Sequence, residues 1–393
     1  MTNVIIASDS FKGSATSVEI ADYLETGIHN ADPATIVQKV PIADGGEGTV
    51  YCVIKATNGQ LLSTKVCGPL GDTVTATWGM IDNQTAIIET AEAAGLTLVN
   101  NELDVDRAST YGVGQLIKTA LDHGAKTIYV GLGGSATNDG GVGMAQALGG
   151  HFYDSDGHEL QHGAEALSRL ETIDLAGLDE RLTTTEVIGL SDVNNPLTGE
   201  NGATRIFGPQ KGATEAQITV LDAALNRLAN LVNTTYDVDL ANVFGAGAAG
   251  GLGYGLLAFC QGKIRSGIQE VIKLVKLDEK MLDATLVVTG EGQIDGQSLG
   301  GKVPIGVAAL AKEHRLPVVA IVGSIGAKAE GVYERGIDLV LSTTNRPMSV
   351  QDAISQAPEL VKQAGFNLMK AIQLGKKLQD NLQSQTEESR GAG

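Results

Sequence analysis

Five short polar segments carry most of the side chains in this sequence that could do chemistry. Each is rich in glycine or other small residues, and each comes directly after an apolar run typical of a buried strand. Together they offer a lysine, several carboxylates and many backbone N–H groups. In chain order the segments are 8–14, 44–48, 133–141, 191–198 and 289–295.

These side chains suit phosphoryl transfer. That reaction needs a cation for phosphate oxygens, carboxylates for Mg²⁺ and closely spaced N–H groups around the phosphates. Lys12 could supply the cation, and Asp9, Asp44, Glu291 and Asp295 are candidate carboxylates. Each residue alone is a weak signal, since a strand-end aspartate often only caps the next helix. Five such segments at matching positions favour a site.

The elements that must position these residues show a βα alternation at both ends of the chain. A helix is predicted from about residue 17, with Thr16 and Glu19 placed as a capping box. This alternation predicts an α/β fold with a doubly wound parallel sheet of flavodoxin-like order. Its five strands are expected at 4–8, 36–41, 284–288, 317–322 and 338–342.

In a sheet of this kind, ligands bind beyond the carboxyl ends of the strands. Asp9, Lys12, Asp44 and Asp295 are therefore expected to converge, although they are far apart along the chain. The sequence thus predicts that one site is assembled from both ends of the chain.

The middle of the chain has a different pattern. Alternating segments separated by turn dipeptides predict antiparallel strands at 61–66, 74–81 and 85–89. We therefore expect the flavodoxin-like domain to be discontinuous, at 1–61 and 284–393. The inserted second domain, 62–283, is expected to be α/β with a mixed sheet that includes a strand at 127–132.

Composition excludes several classes of protein. The chain has 393 residues, 51 of them glycine, and a formal net charge of −18. So acidic a chain is a poor partner for nucleic acid or an anionic membrane surface. Three cysteines without metal-ligand spacing predict buried thiols rather than disulfides or zinc ligands. With no long apolar run and no leader pattern, a cytoplasmic protein acting on a small molecule is expected.

Two nucleotide-binding motifs can be compared with the chain. The glycines and lysine of 296–302 are followed by Val303 where a P-loop needs Ser or Thr, so a P-loop kinase is excluded. Residues 131–136 match the dinucleotide fingerprint G-x-G-x-x-A, with Asp154 beyond, and 245–250 is a second literal match. Such matches arise easily in a glycine-rich chain, and the first comes after antiparallel hairpins.

Taken in order, the motifs resemble those of the class I, or bacterial-type, glycerate kinase family. The resemblance runs from about residue 4 to residue 345. The matching stretches are DSFKGS at 9–14, ADGGEG at 43–48, STYG at 109–112, GGSATNDGG at 133–141, FGPQKGA at 207–213, the stretch 245–253 and TGEGQID at 289–295.

The resemblance implies a flavodoxin-like domain interrupted by a restriction-endonuclease-like sheet. It also implies ATP-dependent phosphorylation of D-glycerate, with the 2-hydroxyl favoured over the 3-hydroxyl as acceptor. The family pattern Asp-Val-Asp-Asn-Pro-Leu is Asp-Val-Asn-Asn-Pro-Leu at 192–197. Asn194 carries no charge, so Asp192 is the better candidate for a carboxylate role.

We assign roles to these residues as hypotheses. Lys12 binds phosphate or the glycerate carboxylate. One of Asp9, Asp44 and Asp192 accepts the proton of the attacking hydroxyl, and Asp192 is the first choice.

The remaining assignments concern the cofactors ATP and Mg²⁺. Glu291 and Asp295 are predicted to hold Mg²⁺, and Lys211 and Lys302 are expected to be surface lysines. The residues predicted to bind the ATP phosphates, at a helix N-terminus, are Gly133, Gly134, Ser135, Thr137, Asn138 and Asp139.

Several alternatives stay open at this stage. The chain could be a nicotinamide-dependent dehydrogenase of small hydroxy acids or a two-lobed receptor for small anions. Asp192 could simply cap the turn at 194–196. A monomer and a homodimer are both compatible with the sequence.

Overall fold

The computed structural model describes residues 2–99 and 102–391, without the side chains of 385–391. By its internal contacts the chain divides into two compact units. The first unit comprises Met1–Ile42 and Lys276–Gly393, and the second comprises Ala43–Val275.

The strands of the described residues are numbered in chain order. They are β1 Asn3–Ile6, β2 Ile36–Lys39, β3 Gln60–Cys67, β4 Thr73–Met80, β5 Thr85–Glu89, β6 Thr127–Gly131, β7 His151–Tyr153, β8 Thr172–Asp174, β9 Glu186–Leu190, β10 Lys263–Arg265, β11 Leu286–Thr289, β12 Gln293–Ile294, β13 Val318–Val322, β14 Ser324–Ile325 and β15 Leu339–Ser342.

The α-helices are numbered in the same way, and no helix within the described ranges is long and apolar enough to cross a membrane. They are α1 Ser17–Ala31, α2 Thr49–Thr57, α3 Thr90–Ala94, α4 Tyr111–Asp122, α5 Val142–Ala147, α6 Ala203–Phe207, α7 Glu215–Tyr236, α8 Ala248–Phe259, α9 Gly267–Leu274, α10 Leu277–Met281, α11 Val303–Glu313, α12 Val350–Ser355 and α13 Ala357–Gly391.

The first unit is built on a five-stranded sheet in the order β15-β13-β11-β1-β2, with every neighbouring pair parallel. In β1, Val4 lies opposite Leu286 on one side and Val37 on the other. β11 and β13 are buried along their whole lengths, which explains their continuous apolar runs. The prediction that five such strands form one parallel sheet is confirmed.

Two helices cover part of this sheet. The predicted capping box of α1 is present, since Glu19 N–H donates to Thr16 Oγ1 at 3.2 Å and Thr16 N–H donates to Glu19 Oε2 at 2.8 Å. α1 packs closely against α13. α12 and α13 are separate helices because Pro358 lacks the N–H that a continuous helix would need.

The second unit is built on a six-stranded mixed sheet in the order β10-β9-β6-β5-β4-β3. β3, β4 and β5 are antiparallel neighbours, as the turn dipeptides predict, whereas β5, β6, β9 and β10 are parallel neighbours. The sequence analysis predicted a mixed sheet here and placed the strand at 127–132 in it, and β6 does lie in this sheet and not in the sheet of the first unit. Because β5, β6 and β9 are parallel, their carboxyl ends lie at one edge of the sheet.

The units divide at different residues from the predicted domain boundaries of 61/62 and 283/284. α2 belongs to the second unit, because Gly48 and Val50 at its start donate hydrogen bonds to Glu89 of β5. α10 belongs to the first unit, where Asp278 pairs with His314 at 2.6 Å. The order of helices and strands along the sequence does not show which distant residues will bond to α2 and α10.

Gly27 and Gly375 are helical glycines with opposite surroundings, and they predict opposite effects of alanine. A Cβ on Gly27 would lie 2.0 Å from the Lys362 carbonyl oxygen, whereas a Cβ on Gly375 meets nothing within 4 Å. We expect Gly27→Ala to destabilise the protein by about 1–3 kcal/mol through overpacking. Gly375→Ala should stabilise it by up to about 1 kcal/mol through helix propensity. Differential scanning calorimetry measures both, and equal shifts in Tm would contradict the α1–α13 packing.

Candidate active site

In the first unit, the segments that come after β1 and β11 lie side by side. Asp9 N–H donates to the Gly290 carbonyl oxygen at 2.9 Å. A Cβ on Gly292 would lie 3.5 Å from the Lys12 backbone nitrogen. The parallel pairing of β1 with β11 causes this contact, and it brings the segment of Asp9 and Lys12 next to that of Glu291 from the other end of the chain. Asp44, which was expected in the same group, belongs to the second unit.

The side chains of this cluster differ in exposure. Lys12 is exposed, while Asp9 and Glu291 are buried. Asp9 Oδ1 accepts a hydrogen bond from Ser10 N–H at 2.7 Å. Lys302 is half-buried, and its Nζ lies 3.9 Å from Glu291 Oε2. It is therefore part of this cluster and not the surface lysine that was expected. The group therefore combines cations with carboxylates at one sheet edge.

Asp295 is half-buried and holds the turn after Glu291. Its Oδ1 accepts from Gln297 N–H at 2.8 Å and its Oδ2 accepts from Gln293 Nε2 at 3.2 Å. Each carboxylate oxygen has further lone pairs after one such bond. Asp295 thus shapes the loop and still offers oxygen atoms to a ligand.

In the second unit, Asp44 and Asp192 lie beside the start of α9. Asp192 Oδ1 accepts from Ser266 Oγ at 2.6 Å, and its Oδ2 accepts from Ile268 N–H at 3.2 Å. A Cβ on Gly267 would lie 1.8 Å from the Asp44 carbonyl oxygen. The first residue of α9 must therefore be glycine, since the Asp44 backbone passes directly over it.

Burial raises the pKa of Asp192 to about 6, and the nearby negative charge of Asp44 acts in the same direction. The hydrogen bonds from Ser266 and Ile268 oppose this rise. The carboxylate of Asp192 accepts from the start of α9, whose N-cap is Ser266, and not from the turn at 194–196, which was the alternative. A half-buried carboxylate with a pKa near neutrality is suited to accept a proton.

Glu89, at the end of β5, is a functional candidate that the sequence analysis missed. It is 3% exposed; its Oε2 accepts from Gly48 N–H at 3.0 Å, and its Oε1 accepts from Val50 N–H at 2.6 Å. Glu89 thereby fixes the loop that carries Asp44. The sequence analysis singled out carboxylates that come at the ends of predicted strands, and Glu89, the last residue of β5, meets the same criterion.

The loop 133–141 has an exposed outer part and a buried inner part. Gly134 is exposed, and Gly133 N–H donates to the Gly45 carbonyl oxygen at 3.2 Å. The side chains of Ser135, Thr137 and Asn138 are buried. In this conformation, only the outer part of the loop is accessible to a ligand.

Asp139 closes the inner part of this loop and is 1% exposed. Its carboxylate accepts from Thr110 N–H at 2.8 Å, Thr110 Oγ1 at 2.9 Å and Gly141 N–H at 3.1 Å. It also accepts from Gly143 N–H at 3.3 Å. Burial raises the pKa of Asp139, and these donors oppose the rise. Asp139 therefore holds the starts of α4 and α5 together.

Lys211 contradicts the expectation of a surface lysine, since it is 2% exposed. Its Nζ donates to Ser135 Oγ at 2.9 Å and to the Thr137 carbonyl oxygen at 2.6 Å. Sequence reasoning failed here because a lysine is buried only where tertiary structure supplies hydrogen-bond acceptors.

The chain is similar to known proteins over most of its length. Residues 4–373 match the model of the glycerate kinase family. The chain is 44% identical over 379 residues to a glycerate kinase of Bacillus subtilis (strain 168), covering 95% of this chain and 98% of that protein. It is 45% identical over 374 residues to a glycerate 2-kinase of Escherichia coli (strain K12), with the same two coverages.

Among solved structures, the chain resembles a crystal structure from Salmonella typhimurium LT2 that is described as a glycerate kinase 2. The TM-score is 0.83 and the sequence identity 42%. The match covers 96% of this chain and 100% of that one, so the likeness includes both units.

The pKa of Glu89 leads to a prediction about stability and pH. Burial raises that pKa from 4.5 to about 7, so the folded state disfavours the ionised carboxylate. The free energy of unfolding of the wild type should therefore fall, relative to that of Glu89→Gln, as the pH rises from about 4.5 to about 7. The change should reach at most about 3 kcal/mol.

Urea denaturation at several pH values measures this difference. Glu47→Gln changes an exposed glutamate of the same loop and is the matched control. Parallel pH curves for the wild type and Glu89→Gln would contradict the effect of burial.

Proposed function

This chain belongs to the glycerate kinase family and is a kinase with glycerate as its alcohol acceptor; we propose that it transfers the γ-phosphoryl group of ATP to the 2-hydroxyl of D-glycerate. The observation that carries the proposal is the family match over residues 4–373. The name of the Escherichia coli relative, a glycerate 2-kinase, supports the choice of hydroxyl. Phosphorus NMR of the product distinguishes 2-phosphoglycerate from 3-phosphoglycerate.

We propose finer fold assignments for the two units, which we take to be the domains. When only the strands of the five-stranded sheet are numbered, its strand order is 2-1-3-4-5, the order of flavodoxin-like sheets. We assign the mixed sheet of the second unit to the restriction-endonuclease-like class that the family resemblance implies.

In the first unit, we assign Lys12 to a phosphate or to the glycerate carboxylate, since its side chain is exposed and its backbone lies next to Gly292, which directly follows Glu291. Glu291 and Asp295 are the proposed Mg²⁺ ligands. Carboxylate oxygens on one loop fit this ion, because Mg²⁺ is usually held by one or two carboxylates together with substrate phosphates. When bound, the ion would neutralise charge on the phosphate oxygens. Asp9 is assigned to orient the Lys12 loop through Ser10.

In the second unit, we assign Asp192 as the base that accepts the proton of the attacking hydroxyl. Ser266 and Ile268 hold its carboxylate in one orientation. Asp44, next to it, is the second choice. The ATP phosphates are assigned to the loop of Gly133, Gly134, Ser135, Thr137, Asn138 and Asp139. Gly134, which is exposed, and the half-buried Gly133 beside it would contact the phosphates, and the buried side chains would keep the loop in shape.

The geometry of α5 weighs against a nicotinamide-dependent dehydrogenase. A dinucleotide fold places the pyrophosphate at a helix N-terminus directly after the glycine motif. Here Asp139 already accepts hydrogen bonds from Gly141 and Gly143 at the start of α5. These N–H groups are not offered to ATP either, so we assign the ATP phosphates to the outer loop at Gly133 and Gly134 and not to the helix N-terminus predicted from the sequence. A receptor for small anions fits poorly with the carboxylates at both sheet edges, because they repel anions.

One incubation separates the three functions. The protein is supplied with D-glycerate and either ATP with Mg²⁺ or NAD, and the formation of ADP and of NADH is followed. We expect ADP only in the presence of glycerate. NADH formation would establish the dehydrogenase, and binding without either product would establish the receptor.

Lys12→Ala tests the cation of the first unit. Loss of a charge-stabilising donor should lower kcat/KM by about two to four orders of magnitude. Because Lys12 is exposed, the Tm should change little. Lys377→Ala removes an exposed lysine of α13 and is the control. If the kcat/KM of Lys12→Ala stays within a few-fold of the wild-type value, Lys12 does not belong to the active site.

Asp192→Asn tests the proposed base. Asparagine keeps the side-chain volume but cannot accept a proton, so kcat should fall by about two to four orders of magnitude while substrate binding is retained. With a pKa of about 6 for Asp192 in the free protein, wild-type kcat/KM should fall as the pH drops through 6. Steady-state kinetics across pH measure both effects.

The control for Asp192→Asn is Asn194→Asp, which restores the family residue at an exposed position and should leave kcat within a few-fold of wild type. If Asp192→Asn retains kcat within about threefold, Asp192 is a helix cap only, and the role of base passes to Asp44.

A further inference from the structure

Lys211 lies in a short 3-10 turn, Pro209–Lys211, directly after α6. Its side chain reaches the inner part of the loop 133–141, where Nζ donates to Ser135 and Thr137. Burying an ammonium group is costly unless other groups compensate it. The compensation here comes from the loop itself, so Lys211 and the loop conformation depend on each other.

The charge of Lys211 is compensated by a second buried charge. Burial lowers the pKa of Lys211 to about 7, while the Asp139 carboxylate favours the ammonium form. Asp139 is held in turn by Thr110 and the start of α5. Lys211 thus interacts both with the loop, through hydrogen bonds, and with the buried charge of Asp139.

The hydrogen bond from Lys211 to Thr137 also sets the direction of a peptide group. No peptide bond between described residues is cis, and a trans peptide points its C=O and N–H in opposite directions. Because the Thr137 carbonyl is held towards Lys211, the Asn138 N–H points away from it. Without the ammonium group, this peptide loses the contact that fixes its orientation.

Two further contacts hold the same part of the loop. Asn138 Nδ2 donates to Thr204 Oγ1 of α6 at 2.9 Å. A Cβ on Gly250, in the left-handed stretch of α8, would lie 1.9 Å from the Thr137 carbonyl oxygen. The segment from α6 to Lys211 thus anchors the inner loop at two points, while the outer part at Gly134 remains exposed.

We propose that Lys211 is a positioning residue for the kinase reaction, which holds the loop 133–141 in the conformation that binds the phosphates of ATP. Recognition of phosphate by backbone groups depends on a loop that is ordered before the ligand arrives. This inference rests on the proposed function, which assigns that loop to ATP.

Lys211→Met is the main test, because methionine keeps an apolar stem of similar shape without the ammonium. The readouts are kcat, the Kd of a non-hydrolysable ATP analogue and the KM for D-glycerate. We expect the Kd of the analogue to rise by about 10- to 100-fold, the equivalent of one lost charge-assisted hydrogen bond. The KM for glycerate and kcat at saturating ATP should stay within about threefold of wild type.

A purely structural role predicts a different result. Ile173→Ala removes a buried side chain in β8 of the same unit and should lower the Tm without changing the Kd of the analogue. If Lys211→Met behaves in that way, the proposal is overturned. If the KM for glycerate rises instead, Lys211 still positions the loop, but the assignment of that loop to ATP is wrong.

A second pair of variants covers the case in which Lys211→Met does not fold. Lys211→Gln keeps a donor for the loop oxygens and should raise the Kd of the analogue by a smaller factor. Thr204→Val removes the neighbouring anchor to Asn138 with almost no change of shape, and it should also raise that Kd. An unchanged Kd in a folded Lys211→Gln or Thr204→Val protein overturns the proposal.

Discussion

Buried and half-buried carboxylates accept hydrogen bonds from helix N-termini along one edge of the mixed sheet, and the candidate site of the second unit depends on these bonds. β5, β6 and β9 are parallel neighbours, so the loops at their carboxyl ends lie at the same edge. Glu89 accepts from N–H groups at the start of α2, Asp139 joins the starts of α4 and α5, and Asp192 accepts from Ser266 and Ile268 at the start of α9. The first N–H groups of a helix have no partner within it, and a carboxylate both accepts from them and suits the positive end of the helix dipole.

Exposure separates the roles of these carboxylates. Glu89 and Asp139 are almost wholly buried, and their hydrogen bonds hold loops in place. Asp192 is half-buried and lies next to Asp44, so it can meet a substrate while its orientation remains fixed. The same interaction, a carboxylate at a helix start, therefore serves as scaffold in two places and as a candidate for chemistry in the third.

In the first unit, backbone hydrogen bonds rather than buried carboxylates hold the loops of the candidate site in place. Its five parallel strands place the loops after β1 and β11 against each other, and Asp9 N–H donates across them to Gly290. This pairing places the exposed Lys12 and the buried Glu291 on neighbouring loops, although they come from opposite ends of the chain. The roles proposed for Lys12 and Glu291 depend on this strand pairing, because neither loop contains both groups.

Local sequence patterns were enough to predict the five strands of the first sheet, their parallel pairing, and the strands β3 to β6 with the hairpins of the second sheet, but not the short strands β7, β8, β10, β12 and β14. These features depend on apolar periodicity and turn residues, which act over a few neighbouring positions. Three other outcomes became visible only in the folded chain: α2 joins the second unit, Glu89 fixes the Asp44 loop and Lys211 is buried. Those outcomes depend on hydrogen-bond acceptors and packing partners that are distant in the chain, and local pattern carries no information about such partners.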